Sequence, residues 1–449
     1  SKDEEFDIFT TINPNADADV PVQDFMWKAM NGWYFWQTSV PDLANKRFKN
    51  TKEGRDIYTA FLESEANPSD FFKNKLMFSE DRFSFYNEDY TVLTQSLSGI
   101  SRSNGLEFGL VRFQDSQNIF GFVRYIIPGS NATTVDIQRG ELFTGVDGQV
   151  LNIDNYRALL FGQNNMYTLN MAEFVDGEVA ANGKEVALTK EEALSENPVF
   201  ISKSFEINGE NIGYLMYNQF TNEYDDELYA AIEALKSAGI TNLVMDLRYN
   251  PGGSVNTTRL LASIIYGTNT EDLFLRKRYN EKLQTEFSKD RLEVYFTDKV
   301  GNQTINSLGL SKLYVLTSAS SASASELLIN SLEPYMDVIQ IGDVTRGKNE
   351  FSTTLVDDRE NSYLYTPSRI NKINPEVQWA IQPLLGRNEN AEGFSDFTDG
   401  LVPDVQLKED LENLGILGDL NEPLLARAIQ EITAGTGKRD FTVKTPANI

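Results

Sequence analysis

Two residue types are missing from this 449-residue chain: it has no cysteine and no histidine. Without cysteine there is no disulfide framework, no thiol nucleophile and no thiolate metal site. Without histidine there is no imidazole base, so Ser-His-Asp and Cys-His enzymes are excluded. Whatever chemistry the chain performs runs on Ser, Thr, Lys, Tyr and carboxylates. Positive charge is scarce as well, with 40 Lys and Arg against 66 Asp and Glu, a net charge of -26. That balance argues against nucleic acid as a partner, since phosphate binding draws on clustered cations. No run approaches the ~20 apolar residues that span a bilayer. No basic-then-apolar segment follows Ser1 either, so any export signal is expected to have been removed ahead of it.

The hydrophobic content is 41%, enough to bury real cores, and at roughly 150 residues each about three domains are expected. Residues 1–18 are polar and acidic without periodicity and read as a flexible tether. Residues 19–90 carry helical patterning, with a broad aromatic stripe in FMWKAMNGWYFWQTSV and a helix entry at Asn67-Pro68. Their Trp and Phe residues are read as core. Over 91–190 short strand-like runs alternate with turns, and IDNYRALLFG between them reads as a short helix. From 191 to 449 strands and amphipathic helices alternate; NLVMDLRY and KLYVLT have the composition of strands buried on both faces, which implies a largely parallel sheet.

Within the strand-rich region, GLEFGL (105–110) followed by YIIPGSNATTVDIQRGELFTGVDGQVL (125–151) resembles a PDZ domain. The resemblance implies that an extended peptide C-terminus adds at a sheet edge along Gly105, Leu106, Phe108, Gly109 and Leu110, with backbone N–H groups holding its carboxylate. On the residues alone, Gly105 and Gly109 equally permit tight turns in an unrelated β-domain.

Three pieces of the α/β region could carry chemistry: Asp246-Leu-Arg-Tyr-Asn-Pro-Gly-Gly253, a cluster of five serines and three alanines from Ser318 to Glu326, and Gly342-Asp-Val-Thr-Arg-Gly-Lys348. The first two share one construction, an apolar strand ending in small residues that open a helix. The free N–H groups of such an end can receive a developing anion. The third matches G-x-x-x-x-G-K, a phosphate loop, and fails twice: Asn349 stands where Ser or Thr should hold magnesium, and EFSTTLV looks like a strand where a helix should begin. Lys348 is then a candidate base. Starting from a pKa near ~10.4, it needs a lowering of about three units, worth about 4 kcal/mol, which implies an apolar surrounding. Ser323-Ala-Ser-Glu326 also reads as a capping box, a purely structural motif.

Together SASASELL, DLRYNPGG, the Gly-Lys turn and FTDGLVPDVQL (397–407) resemble the carboxy-terminal processing peptidases, also called tail-specific proteases. The resemblance implies a multidomain α/β protein with an N-terminal helical domain, a PDZ-like β-rich domain and a crotonase/ClpP-like α/β protease domain. It implies Ser323 as nucleophile, Lys348 as base, oxyanion donors from Ala324 and the Gly252-Gly253 turn, and Thr345 in support. It implies no cofactor or metal. Ser352 stands where many members have Gln, and Pro334 where an Asp is frequent; Ser352 is a candidate to support Lys348.

The expected activity is that of an endopeptidase acting through an acyl-enzyme on polypeptides with accessible C-termini, with a weakly catalytic or inactive peptide-binding scaffold as the alternative. SKDEEFD resembles the stretch after the lipidated Cys of some outer-membrane lipoproteins. That gives the expectation of an exported protein, periplasmic or tethered to a membrane through a removed lipid anchor, with self-association into a homo-oligomer left open.

Overall fold

The computed structural model describes residues 19–433; the tether expected over 1–18 lies outside them. Two compact units emerge, each assembled from separated pieces of chain. Of the described residues, one takes 19–95, Asn269–Thr297 and Gly347–Thr398; the other takes Ser96–Thr268, Asp298–Arg346 and 399–433.

In the first unit, helix α1 (Pro21–Trp33) opens with proline in its first turn, where a missing N–H is harmless, and α2 (Lys52–Leu62) is capped by Thr51, whose side chain accepts from the N–H of Gly54. The aromatic stripe is core, as read. Trp27 is fully buried, with Phe48 and Tyr58 ring centroids at 5.4 and 5.1 Å in edge-on contact. The helices do not close this core by themselves. Leu283, Phe287, Phe351, Leu355, Val377, Ile381 and Leu385 complete it, from segments some 200 to 350 residues downstream in the sequence. These belong to or flank an antiparallel sheet in which Leu273–Tyr279 lies between Glu293–Tyr295 and Leu384–Glu389, with Glu350–Ser352 at the far edge.

The second unit holds two sheets. One is antiparallel, in the order β1 (Leu106–Arg112), β2 (Ile119–Ile126), β3 (Leu142–Val146), β4 (Met166–Val175), β5 (Glu178–Thr189), with helix α3 (Tyr156–Phe161). The other runs β6 (Val199–Ile207), β7 (Glu210–Tyr217), β8 (Asn242–Asp246), β9 (Lys312–Thr317), β10 (Asp337–Gly342), β11 (Val405–Gln406), parallel from β7 onward. Between its strands run α4 (Asp225–Ser237), α5 (Val255–Ile265) and α6 (Ala324–Leu332), and α7 (Pro423–Ile432) follows β11. The central strands β8 and β9 are buried nearly throughout, as the unbroken apolar runs require. Because they are parallel neighbours in register, Asp246 opposite Leu316, the turns that follow them emerge side by side at the carboxyl edge of the sheet. Among the described residues no helix is long and apolar enough to cross a membrane.

Replacing Trp27 with alanine removes a fully buried indole and leaves a cavity. We expect a loss of about 3–5 kcal/mol, read as a shift of the first unit's transition in denaturant melts.

Candidate active site

At the carboxyl end of β9 the chain turns sharply through the serine cluster into α6. Ser323 is the pivot, one of only seven described non-glycine residues at positive φ, at φ 56°. A residue in that region is strained unless its surroundings hold it, and the carboxylate of Glu326 does so. Glu326 is fully buried and accepts the Ser323 N–H at 2.7 Å through one oxygen, while its other oxygen accepts the hydroxyl of Thr345 at 2.6 Å. Thr345 in turn accepts the N–H of Leu401 at 2.7 Å. Glu326 was legible only as half of a capping box; here it also joins the Ser323 turn to Thr345 in the segment after β10.

The turn after β8 stands against this pivot. Gly252 and Gly253 have φ 105° and 136°, and a Cβ on Gly252 would come within 2.7 Å of the Ser323 Cβ, so only glycine lets the two turns touch. The expectation that both glycines donate to an oxyanion needs correction. The Gly252 N–H is already taken by Asn250 Oδ1 at 2.8 Å. Gly252 therefore provides room, and the N–H groups of Gly253 and Ala324 are the ones left without a partner among the described residues.

Below these turns lies a polar cluster that sequence reading missed. The Arg248 guanidinium is wholly buried, with Asp246 at 2.8 Å and both oxygens of Glu422 at 2.6 and 2.9 Å, and Glu409 accepts from it at 3.1 Å. Glu409 also accepts from Arg139 at 3.0 Å and from Tyr249 Oη at 2.6 Å. Burial pushes the Glu409 carboxyl up, but the two guanidiniums outweigh it and hold its pKa below the usual range. An arginine ending an apolar strand hinted at a buried partner. Partners 161 and 174 residues away left no local signal.

The antiparallel sheet reaches the same turns. Arg124 of β2 donates to Ser320 Oγ at 2.8 Å and lies over the Tyr249 ring at 4.9 Å. Just before β1, Gly105 has φ 82° and a Cβ there would collide with Ser130, whereas Gly109, within β1, is a strand residue making room for the Phe122 ring, not a turn. Leu106 is buried, Phe108 and Leu110 are half-buried, and Phe108 contacts the rings of Phe143 and Phe161 at 5.4 and 5.7 Å. The N–H groups of Gly105 and Leu106 are occupied by Ser103 Oγ and Asn104 Oδ1, so neither is free for a carboxylate. The outer edge of β1, at the end of the sheet, has no strand partner among the described residues.

In the first unit, Lys348 is half-buried with its Nζ 5.6 Å from the centroid of the Phe83 ring. The preceding carbonyl, of Gly347, accepts from Arg82 at 2.6 Å. No helix follows: a strand begins at Glu350, which disposes of the phosphate-loop reading. Ser352 Oγ accepts from Gln382 Nε2 at 3.3 Å, and Gln382 accepts from Thr354 at 2.8 Å.

A serine at a strained strand-to-helix turn, beside backbone N–H groups without a partner at the carboxyl edge of a parallel sheet, is the arrangement that a serine nucleophile on an α/β fold requires. Comparison with known proteins narrows the class. The peptidase family S41 pattern matches residues 211–382 and the peptidase S41 N-terminal domain pattern matches 21–85, together just over half of the chain. The chain is 26% identical over 271 residues to a carboxyl-terminal-processing protease of Picosynechococcus, covering 58% of each, and 25% identical over 339 residues to one of Synechocystis, covering 72% of this chain and 69% of that one. It matches only 26% of a CtpA-like serine protease of Staphylococcus epidermidis, at 32% identity over 144 residues; the curated relatives thus extend well beyond the matched part. An S41 protease structure from Bacteroides fragilis shares the fold, with a TM-score of 0.68, 24% identity and coverage of 95% of this chain and 100% of that one. The chain belongs to the S41 family of carboxyl-terminal processing peptidases.

Two outcomes follow. Gly252→Ala forces a methyl against Ser323, so activity is expected to fall about a hundredfold or more while the melting temperature shifts only a few degrees, checked by kinetics beside calorimetry. Separately, the Glu107 carboxyl on β1 is pushed up to about 7 by burial and by the charge of Glu196, against the opposing pull of Arg124. Folding then holds a proton that the unfolded chain releases near its ordinary value of 4.5, so stability declines as pH rises from about 4.5 to 7. Glu107→Gln lacks that decline and should exceed the native protein in stability at pH 8 but not at pH 4, by about 1–3 kcal/mol in denaturant melts.

Proposed function

We propose that this chain is a serine endopeptidase of the carboxyl-terminal processing type that works through a Ser323/Lys348 pair. The observation that carries the reading is Ser323 itself, at φ 56° in a turn packed against the Gly252-Gly253 turn, with the N–H groups of Ala324 and Gly253 lacking a partner among the described residues, in a chain that has no histidine or cysteine to offer as base or rival nucleophile. Neutral Lys348 accepts the Ser323 proton as Oγ attacks a peptide carbonyl carbon. The oxyanion that forms is received by the N–H groups of Ala324 and Gly253. Collapse expels the amine, which takes the proton back from Lys348, and water then resolves the acyl-enzyme by the same route in reverse. Thr345, three residues ahead of the lysine and hydrogen-bonded to Glu326, supports this role.

The strand-rich domain is proposed to act as a PDZ-type reader of polypeptide C-termini. Its unpaired β1 edge, flanked by Phe108 and the exposed Phe161 of α3, suits an added peptide strand. With the N–H groups of Gly105 and Leu106 occupied, the terminal carboxylate must be held by other donors. An exported setting, periplasmic or tethered to the outer membrane, is proposed on the likeness of SKDEEFD to the stretch after the lipidated Cys of some lipoproteins, which fractionation of the producing cell would test.

Incubation with an unfolded polypeptide should give cleavage that Ser323→Ala and Lys348→Ala each reduce at least about a thousandfold. Cleavage unchanged in either variant would refute the pair, and no cleavage by any version would make the protein a binding scaffold. Because only the unprotonated amine can act as base, kcat/KM should rise with pH along a single ionisation, and a flat profile from pH 6 to 10 would exclude a lysine base.

A further inference from the structure

Only one serine of the cluster is needed as nucleophile, and the other four have a pattern of their own. Where β8 ends, the carbonyls of Leu247, Arg248 and Asn250 leave the strand ladder, in a place too buried for water to satisfy them freely. Three serines supply donors. Ser321 Oγ donates to Leu247 O at 2.8 Å, Ser325 Oγ donates to Asn250 O at 3.0 Å, and Ser318 Oγ donates to Arg248 O. The hydroxyls are themselves ordered: the Ser318 N–H donates to Ser321 Oγ at 3.0 Å and the Ser320 N–H to Ser318 Oγ at 3.1 Å. Ser321 and Ser325 are fully buried, so these bonds have no solvent to compete with them. The hydroxyl of the remaining serine, Ser320, donates to none of these carbonyls and receives Arg124 instead.

Asn250 is where the seam meets the chemistry. Its carbonyl accepts both Ser325 Oγ and the Ala322 N–H, the latter at 3.1 Å. Its side chain spans from the Tyr217 carbonyl, at 2.8 Å, to the Gly252 N–H, also at 2.8 Å. Fixing Asn250 therefore fixes which glycine N–H is consumed internally and which, that of Gly253, is left without a partner among the described residues.

We infer that Ser321 and Ser325 are positioning residues: they lock the turn carrying the Gly253 donor to the turn carrying Ser323 and Ala324, so that both halves of the oxyanion site keep one spacing. The inference rests on the proposed peptidase reading for its kinetic consequence, but not for the locking itself. Replacing either hydroxyl leaves Ser323, Lys348 and both donor N–H groups chemically intact while loosening their mutual register.

The test compares Ser321→Ala, Ser325→Ala and Ser325→Thr in the full chain. Each alanine variant should lower kcat about tenfold or more with KM within about twofold, and weaken inhibition by a peptide aldehyde, whose hemiacetal oxygen uses the same donors, by a like factor. Ser325→Thr keeps a hydroxyl and should recover most of kcat. Hydrogen exchange of the peptide covering residues 247–254 should accelerate in both alanine variants and not in the threonine one. Unchanged kcat and exchange in both alanine variants would overturn the inference. So would kcat, KM and melting temperature deteriorating together with no recovery by threonine, since that pattern marks a general structural role. Should the native protein cleave nothing, the peptidase reading falls, and hydrogen exchange alone still decides whether the serines lock the turn.

Discussion

The buried Arg248 guanidinium is the interaction on which the candidate site rests. It is unusual for a full charge to stand at zero exposure, and removing any partner would strand uncompensated charge at a cost of about 3–5 kcal/mol. What the cluster achieves is connection. Asp246 ends β8, Glu409 follows β11, and Glu422 caps α7 by accepting from the N–H of Leu425, so one side chain ties the end of the central strand to the last parts of the chain. A hydrophobic residue of similar volume could fill the space but could not specify the direction in which the following backbone leaves. The next residue, Tyr249, extends the cluster to Arg139 and Glu409, and two residues beyond Asn250 the double glycine begins.

The serine turn is the counterpart of that anchor. Small residues between β9 and α6 let the two turns approach to van der Waals distance, while the hydroxyls replace the hydrogen bonds that the strand ladder no longer provides. Alanine alone would give the closeness without the satisfaction. Larger polar residues would give the satisfaction without the closeness. Serine gives both, which is a physical reason for three of the five serines in these nine residues, Ser318, Ser321 and Ser325.

Much of this was legible in the linear chain. The uninterrupted apolar runs of β8 and β9 implied parallel strands, and the small residues after each implied paired helix starts, because composition and periodicity are local properties. The capping pair Ser323 and Glu326 was legible for the same reason, at a spacing of three. The partition of residues 19–90 was not, since the core around Trp27 is completed by Phe287, Phe351 and Ile381, and no pattern within a helix reports which distant strand will cover it. Gly252 and Gly253 were indistinguishable as donors in sequence. Only the Asx-type bond from Asn250 separates them, and a turn of that kind depends on φ values that two adjacent glycines leave open. Arg124 and Glu409 carried no signal at all, being ordinary charges whose meaning comes from tertiary neighbours.

The missing histidine gives these details their weight. Imidazole can be oriented through its second nitrogen and ionises near neutrality, so a histidine base needs no large shift of its pKa. An amine has neither property. A lysine base, as proposed here, must be delivered already neutral and aimed, and the oxyanion donors must be in place before charge develops. On that argument rigidity shifts from the base to the backbone, and the devices seen here fit: a carboxylate holding Ser323 at positive φ, an asparagine assigning one glycine N–H inward so that the other is free, and serine hydroxyls closing the seam between them. Such a site is organised by its hydrogen-bonded main chain, and the side chains around it serve chiefly to keep that main chain in place.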